Sequence, residues 1–229
     1  MAPMRFWRVG TATIDFAAQR EAMVERQLKR RGISDERILN AFRTVPREKF
    51  VGADVAHLAY EDHPLPIEAK QTISQPYIVA LMIEAAEIAS SDTVLEVGSG
   101  SGYAAALISQ IAHRVIGIER HYALVEVARG RMAGLGYDNV EIVEGDGTLG
   151  WPDAAPYDAI LAAASGSHVP KSLIEQLKPG GRIVMPLGDP GWVQTLVKLT
   201  KRADGTLTQS DLGGVRFVPL IGAEGWSRL

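Results

Sequence analysis

The chain has 229 residues, 46% hydrophobic and 22% charged, which suits one globular domain with an added subdomain. Its formal net charge of -3 supplies no electrostatic basis for binding a nucleic-acid backbone, and its lack of cysteine excludes disulfides, a catalytic thiol and thiolate metal ligands. No apolar run approaches the roughly 18 residues of a membrane span, so no membrane partner is expected. With the charge and the lack of cysteine, this leads us to expect a cytoplasmic protein without a nucleic-acid partner. A monomer is favoured.

The N-terminal part of the chain is predicted to be a loose tail followed by a helix. Residues 1–14 show no hydrophobic periodicity and no apolar region of the kind found in secretory signals. Asp15 is placed to cap a helix over 16–31, and Gly32 suits the position just past its end.

Two further helices are predicted before the first long strand. Ser34 is placed to cap a helix that ends near Val45. The proline-containing stretch 50–70 is predicted to be a connection rich in loops. A third helix over 76–89 begins at Pro76, which is favoured at the first helical position.

From residue 92 onward, short apolar strands alternate with helices. The predicted strands are 93–97, 115–119, 140–143, 157–161 and 181–186, and the predicted helices are 103–112, 121–135 and 171–177. Two more strands follow residue 193 around a polar turn at 203–205. This alternation predicts an α/β fold with a doubly wound, mostly parallel sheet covered by helices on both faces. We divide the chain into the tail, an N-terminal helical segment over 15–90, and a domain over 91–229 that includes the C-terminal strand pair.

A glycine-rich turn, within the segment VLEVGSGSGY at 94–103, joins the first of these strands to a helix. Gly98, Gly100 and Gly102 allow the backbone to turn tightly and to approach a ligand closely, next to the free N–H groups of a helix N-terminus. The dinucleotide fingerprint requires glycine where this chain has Tyr103. A hydride-transferring oxidoreductase is therefore disfavoured.

Two acidic residues follow the next two strands. Glu119 lies about 20 residues after the turn, where a carboxylate can accept hydrogen bonds from both ribose hydroxyls. With the glycine turn, this spacing resembles the class I S-adenosylmethionine-dependent methyltransferases. The resemblance implies that Asp146, before Gly147, reaches the adenine amino group; the alternative is an ordinary Asp-Gly turn. The Asn/Asp-Pro-Pro-aromatic run of amine and amide methylation is missing, because small apolar residues occupy 162–164.

The segments QTISQP at 71–76 and FVPL at 217–220 make the resemblance more specific. With VPREKFV, AYEDHPLPI and EQLKPGGRIVMPLG, they extend it over nearly the whole chain from Phe16. In these motifs the chain resembles the protein-L-isoaspartate O-methyltransferase family. The resemblance implies a Rossmann-like sheet, S-adenosylmethionine as methyl donor, and isoaspartyl proteins and peptides as substrates that are repaired through a succinimide.

The resemblance also implies which residues form the site, with Ser74 as the catalytic residue. The residues assigned to cofactor binding are Gln71, Thr72, Ile73, Ser74, Gly98, Ser99, Gly100, Gly102, Tyr103, Glu119, Asp146 and Gly147. No metal and no general base are expected, because a carboxylate is already an anionic nucleophile and a sulfonium methyl group is already activated. The hydroxyl of Ser74 can hold one carboxylate oxygen while the other oxygen attacks. The alternative for Ser74 is a helix cap before Pro76.

Three stretches depart from the family pattern. Glu68–Lys70 lies where a glycine-bearing stretch is common, Ile221 replaces a threonine of some members, and 165–168 replaces a turn containing Ala-Pro. They leave open a carboxyl methyltransferase with a dedicated peptide or small acid substrate, and a protein that binds S-adenosylmethionine without turnover. The scattered histidines show no ligand spacing. Three tryptophans are expected to serve in packing, namely Trp151, Trp192 and Trp226.

Overall fold

The structure is a computed structural model that describes residues 14–227. The predicted tail, apart from Ile14, lies outside the described residues. The described helices are α1 (Phe16–Met23), α2 (Glu36–Thr44), α3 (Pro76–Ala85), α4 (Tyr103–Ser109), α5 (Tyr122–Leu135) and α6 (Lys171–Glu175). The described strands are β1 (Leu65–Pro66), β2 (Thr72–Ile73), β3 (Thr93–Val97), β4 (Arg114–Glu119), β5 (Val140–Glu144), β6 (Tyr157–Ala162), β7 (Leu177–Leu187), β8 (Gln194–Lys201) and β9 (Leu207–Val215). No helix among residues 14–227 has the length and apolar character needed to cross a membrane.

The first predicted helix is confirmed in extent. Asp15 caps it, since its carboxylate accepts a hydrogen bond from the Ala18 N–H at 2.9 Å. After α1 the helical path continues through a π-helical turn and a 3-10 turn as far as Arg31. Gly32 ends it in the left-handed conformation with φ 100°, as its position predicted.

Four predicted helix boundaries are wrong. The helices α4 and α6 end at Ser109 and Glu175, before the predicted 112 and 177, and Leu177 already begins β7. The other two boundaries, at the start of α2 and the end of α3, differ for local reasons. Asp35, not Ser34, caps α2, because the Asp35 carboxylate accepts from both the N–H and the guanidinium of Arg37. The N–H of Ser34 instead donates to the carboxylate of Glu84 on α3. The helix α3 ends at Ala85 and not near residue 89, because Glu87 has a positive φ of 50° that interrupts helical geometry.

A seven-stranded sheet forms the centre of the molecule, in the order β5-β4-β3-β6-β7-β8-β9. The pairings from β5 to β7 are parallel, whereas β8 pairs antiparallel with β7 and β9 pairs antiparallel with β8. The predicted mostly parallel sheet and its C-terminal strand pair are therefore confirmed. The direction of winding reverses between β3 and β6, and in open α/β sheets ligands bind outside the carboxyl ends of strands at such a point.

Alternating side chains of the central strands enter two hydrophobic clusters, one on each face of the sheet. On β3, Val94 belongs to the first cluster and Leu95 to the second. The first cluster also contains Met23 and Phe42 of the N-terminal helices, while the second contains Leu173 of α6. Both faces are thus covered, which explains why the parallel strands consist of nearly continuous apolar runs. The division of the chain at residue 90 stays a prediction.

A short antiparallel hairpin was not predicted. The strand β1 lies in the stretch expected to be loop and pairs with β2 just after that stretch, so that Leu65 lies opposite Ile73. Both side chains are buried, whereas Pro66 and Thr72 are exposed. Two residues a strand are too few for periodicity to reveal the pairing. The hairpin fixes the QTIS segment next to the sheet.

Candidate active site

A cavity of about 770 Å³ opens at the carboxyl edge of the sheet. Its walls come from the β2 segment, the glycine turn after β3, the ends of β4 and β6, and the chain after β9. The volume lies within the roughly 300–1,000 Å³ that is usual for sites of small molecules and cofactors. The cavity therefore occupies the place and has the size that a nucleotide-derived methyl donor requires.

Most of the residues predicted from the sequence line this one cavity. Those that line it are Gln71, Thr72, Ile73, Ser74, Gly98, Ser99, Gly100, Tyr103, Glu119 and Gly147. Gly102 and Asp146 are not among its lining residues. The fold thus brings together segments that lie far apart in the sequence.

The glycine turn has the backbone conformation that its sequence predicted. Gly98, Gly100 and Gly102 have φ values of 83°, 53° and 86°, in the left-handed region that glycine tolerates without steric cost. Gly102 has a different role from the cavity-lining glycines. A Cβ atom there would lie 2.9 Å from the Met132 Cε, so its small size allows the start of α4 to pack against α5.

Glu119 is held rigidly at the cavity wall by backbone N–H groups. Its Oε1 accepts from the N–H groups of Arg120 and His121 at 2.7 and 2.9 Å, and its Oε2 accepts from the Gly100 N–H at 3.0 Å. The side chain is buried, with 6% exposure. A carboxylate offers about four acceptor positions, so capacity remains for a ligand hydroxyl. The remaining acceptor position of Glu119 and the adjoining glycine turn fit the ribose of S-adenosylmethionine, whose hydroxyl can donate to the carboxylate.

Asp146 makes protein contacts that fit the turn alternative. Its Oδ1 accepts from the Thr148 N–H at 2.9 Å and from the Thr148 hydroxyl at 2.7 Å, while its Oδ2 accepts from the Ala223 N–H at 2.7 Å. The carboxylate therefore joins the β5 end to the C-terminal segment, beside a smaller cavity that Arg120 and Ile221 also line. Its contact with adenine stays a prediction.

Ser74 does not cap the helix that follows it. The N-cap residue of α3 is Gln75, and no side-chain hydrogen bond caps that helix. The Ser74 side chain is half-buried, and its hydroxyl makes no hydrogen bond with another residue of the described range. The hydroxyl is therefore available to a ligand in the cavity, as the catalytic interpretation requires.

The backbone of Ser74 is fixed by a buried arginine. The Arg47 Nη2 donates to the Ser74 carbonyl at 2.8 Å, and the Arg47 Nε donates to the Ala59 carbonyl at 2.8 Å. The guanidinium lies over the ring of Tyr103, with Cζ 4.8 Å from the centroid. Burial lowers the pKa of Arg47 and raises that of Tyr103 to about 12. Arg47 thus couples the serine segment to the helix that follows the glycine turn.

The stretch Glu68–Lys70 retains a glycine-like backbone although it lacks glycine. Ala69 and Lys70 have φ values of 54° and 59°, in the left-handed region that costs other residues about 1–2 kcal/mol each. The Glu68 carboxylate pairs with the Arg131 guanidinium at 3.3 Å, and Arg131 also donates to the Ser101 carbonyl at 3.3 Å. The ion pair attaches the strained loop to the glycine turn.

Glu96 is a cavity residue for which the sequence interpretation had no role. It lies on β3 with 3% exposure, and its Oε2 has no hydrogen-bond partner among the described residues. Burial, reinforced by the nearby Glu119 carboxylate, raises the pKa of Glu96 to about 8. The signal that could have identified it is one acid inside the apolar strand TVLEV.

The segment after β9 forms a second wall that was not predicted residue by residue. Residues 214–221 line the cavity. The side chain of Gln194, 1% exposed, accepts from the Phe217 N–H at 2.7 Å and donates to the Phe217 carbonyl at 3.3 Å. The Val218 carbonyl accepts from the Ser165 N–H at 2.8 Å. The available sequence signal was the FVPL motif, whose position in the site depends on these long-range contacts.

The expectation that three tryptophans serve in packing holds for two of them. Trp151 packs against the second hydrophobic cluster, and the Trp226 indole donates to the Ser165 carbonyl at 2.9 Å. For Trp192 the expectation is wrong, because this side chain is 75% exposed on the turn between β7 and β8. Its neighbour Val193 lines the cavity.

The chain is similar to known proteins over nearly its whole length. The family model of protein-L-isoaspartate(D-aspartate) O-methyltransferase matches residues 18–225. Protein-L-isoaspartate O-methyltransferase 2 of Pelobacter propionicus is 55% identical over 91% of this chain and 92% of its own length. Protein-L-isoaspartate O-methyltransferase of Rhodopseudomonas palustris is 54% identical over 90% of this chain and 94% of its own length.

Solved structures give the same relationship. One described as a protein-L-isoaspartate O-methyltransferase has a TM-score of 0.83 at 33% identity, covering 90% of this chain and 67% of that chain. A Plasmodium falciparum structure, described as a protein-L-isoaspartate O-methyltransferase in complex with S-adenosyl-L-homocysteine, has a TM-score of 0.75 at 27% identity. It covers 88% of this chain and 98% of that chain.

Proposed function

The chain belongs to the protein-L-isoaspartate O-methyltransferase family, and from this membership we infer that it transfers the methyl group of S-adenosylmethionine to the α-carboxylate of L-isoaspartyl residues. Proteins and peptides that contain isoaspartate are its substrates. The methyl ester re-forms a succinimide faster than the free acid does. Hydrolysis of the succinimide then returns part of the damaged chain to ordinary aspartate.

We propose that Ser74 is the residue that holds the substrate carboxylate. The single observation that carries this proposal is that Ser74 lines the same cavity as Glu119 and the glycine turn, and that its hydroxyl has no hydrogen-bond partner among residues 14–227. A neutral hydroxyl can donate to one carboxylate oxygen and leave the other free to attack. It binds the ground state less strongly than a cation would, so less of the nucleophile's reactivity is lost.

The remaining task of the protein is orientation and exclusion of water. When bound, S-adenosylmethionine supplies a methyl group that its positively charged sulfur already activates. We propose that Glu119 holds the ribose hydroxyls and that Gly98 and Gly100 allow the backbone to approach the ligand closely. Arg47 fixes the Ser74 carbonyl, and the Gln194 side chain fixes the opposite wall at Phe217. Such positioning lowers the barrier because the reacting groups meet in line.

The test compares two synthetic peptides that differ only in L-isoaspartate or L-aspartate. Each is incubated with the protein and methyl-labelled S-adenosylmethionine, and base-labile methyl ester is counted. We expect label on the isoaspartyl peptide alone. Label on neither peptide, with cofactor still bound, would favour a dedicated substrate or a protein without turnover.

The role of Ser74 is tested in the same assay. Ser74→Ala should lower kcat by about tenfold or more, because a hydrogen bond to a charged group contributes about 1.5–3 kcal/mol. Binding of S-adenosylmethionine, measured by calorimetry, should change little. Ser210→Ala, on the exposed part of β9, is the matched control and should behave as wild type. Unchanged turnover in Ser74→Ala would remove the serine from the mechanism.

We also propose that the protein acts as a monomer in the cytoplasm, with no nucleic-acid partner. The lack of cysteine supports a reducing compartment, and the net charge of -3 supports the absence of a nucleic-acid partner. The oligomeric state is the part of this proposal that experiment must supply. Light scattering after gel filtration tests it, and a mass of twice 24.7 kDa would contradict it.

A further inference from the structure

We propose that Trp192 and Val193 form a docking platform for a large apolar or aromatic side chain next to the isoaspartyl residue of the substrate. The proposal rests on the proposed function, because it assigns the substrate's flanking residue to the rim of the same cavity. It makes these two residues determinants of specificity and gives them no part in methyl transfer.

The platform is an exposed apolar pair at the mouth of the cavity. Trp192 is 75% exposed and Val193 is 62% exposed, although both are large hydrophobic residues. Val193 lines the cavity that also contains Ser74, and Trp192 directly precedes Val193 in the turn between β7 and β8. Adjoining exposed apolar side chains at the edge of a binding cleft are typical of an interaction surface.

The turn that carries the pair is anchored on both sides. The strands β7 and β8 remain paired up to Leu187 and Thr195. The Gly188 N–H donates to the Gly166 carbonyl at 2.9 Å, and Gln194, directly after the platform, is buried. The position of the platform at the rim is therefore determined by the sheet. A preorganised surface loses less conformational entropy when a ligand binds.

The apolar surface continues from the platform into the cavity. Phe217, which is half-buried, and Val218, which is 38% exposed, line the cavity with Val193. The Gln194 side chain links the end of the β7–β8 turn to Phe217 through two hydrogen bonds. Val193, Phe217 and Val218 thus form an apolar strip in the lining of the cavity that contains Ser74.

The occupant that fits this strip is the substrate chain itself. An isoaspartyl residue lies within a polypeptide, so the chain on both sides of it must pass over the rim when the residue enters the cavity. Neighbouring α-carbons are about 3.8 Å apart, so a residue one or two positions away remains close to the cavity mouth. An aromatic or large aliphatic side chain there would cover Trp192 and Val193, whereas alanine would leave them in water.

The experiment uses isoaspartyl peptides that carry phenylalanine or alanine at a position beside the isoaspartate, scanned on each side. For wild type we expect kcat/KM to favour phenylalanine by about tenfold at one position, because its ring leaves water there; tenfold corresponds to about 1.4 kcal/mol. Trp192→Ala should reduce this ratio to near one, mainly through KM, and Trp192→Phe should restore most of it. Leu207→Ala, at the start of β9, is the control and should retain the wild-type ratio.

A second measurement is independent of turnover. Binding of fluorescently labelled phenylalanine and alanine peptides is followed by anisotropy without methyl donor, and the same difference in affinity is expected. Equal affinity for both peptides in wild type, or an unchanged preference in Trp192→Ala, would overturn the platform. If no isoaspartyl peptide were methylated, the proposed function would fail, while the anisotropy measurement would still decide between platform and no platform.

Discussion

Replacement of Arg47 by lysine tests whether one buried guanidinium holds the serine segment in place. Arg47 is fully buried, donates at 2.8 Å to the carbonyls of Ala59 and Ser74, and lies over the Tyr103 ring. Lysine retains the positive charge but has one compact ammonium in place of the planar fork, so it cannot satisfy both carbonyls while covering the ring.

The expected loss follows from these contacts. One hydrogen bond to a charged group contributes about 1.5–3 kcal/mol, and a desolvated cation–π contact contributes about 1–2 kcal/mol. Because lysine recovers part of the second contribution, Arg47→Lys should lower the free energy of unfolding by about 2–4 kcal/mol. The Ser74 carbonyl also loses its fixed donor, so kcat should fall more than the affinity for S-adenosylmethionine.

Urea denaturation followed by circular dichroism measures the change in stability, and initial rates on an isoaspartyl peptide measure kcat. Arg114→Lys is the matched control, because the Arg114 side chain is 48% exposed and pairs with an exposed Glu141. Exposed ion pairs contribute about 0–1 kcal/mol, so the control should remain near wild type. If Arg47→Lys unfolded within about 0.5 kcal/mol of the control, the assigned role of Arg47 would be wrong.

Three other predictions concern backbone strain and a buried acid. Gly102→Ala should lower the free energy of unfolding by about 1–2 kcal/mol or more, because Gly102 has a φ of 86° and the added Cβ would press on Met132. The control is Gly134→Ala, whose added Cβ would meet nothing within 4 Å and which should stabilise α5 by about 0.5–1 kcal/mol. Ala69→Gly should raise stability by about 0.5 kcal/mol in thermal unfolding, since relief of left-handed strain exceeds the entropic cost of glycine; a loss of stability would contradict the assigned strain. Burial raises the pKa of Glu96 from 4.5 to about 8, so the folded state favours the neutral acid. The contribution of this group to the free energy of unfolding is therefore fully present below pH 4.5 and is lost as the pH rises from 4.5 through about 8. Relative to Glu96→Gln, the ligand-free wild type should lose up to about 1.4 kcal/mol per pH unit between these values, and parallel stability curves for the two proteins would refute this.

The sequence alone determined most of the secondary structure and one side of the site. Apolar runs predicted the central strands, because every strand of a parallel sheet is buried on both faces. The glycine turn needed only the backbone freedom of Gly98, Gly100 and Gly102, which is a local property. Local chemistry was less decisive where two caps competed, as at Ser34 and Asp35. There, Asp35 caps the helix α2, and the N–H of Ser34 donates to the Glu84 carboxylate on another helix.

Only the tertiary structure decided which distant residues meet at the cavity. Arg47 reaches the Ser74 carbonyl across 27 positions of sequence, and Gln194 reaches Phe217 across 23 positions. It also determined that Asp146 bonds to the C-terminal segment and that Trp192 remains in water. No periodicity or spacing encodes such contacts, because they depend on the packing of elements whose order in the sheet differs from their order in the chain. The sequence therefore predicts which residue types form the site, whereas the hydrogen-bond partners of these residues depend on the tertiary structure.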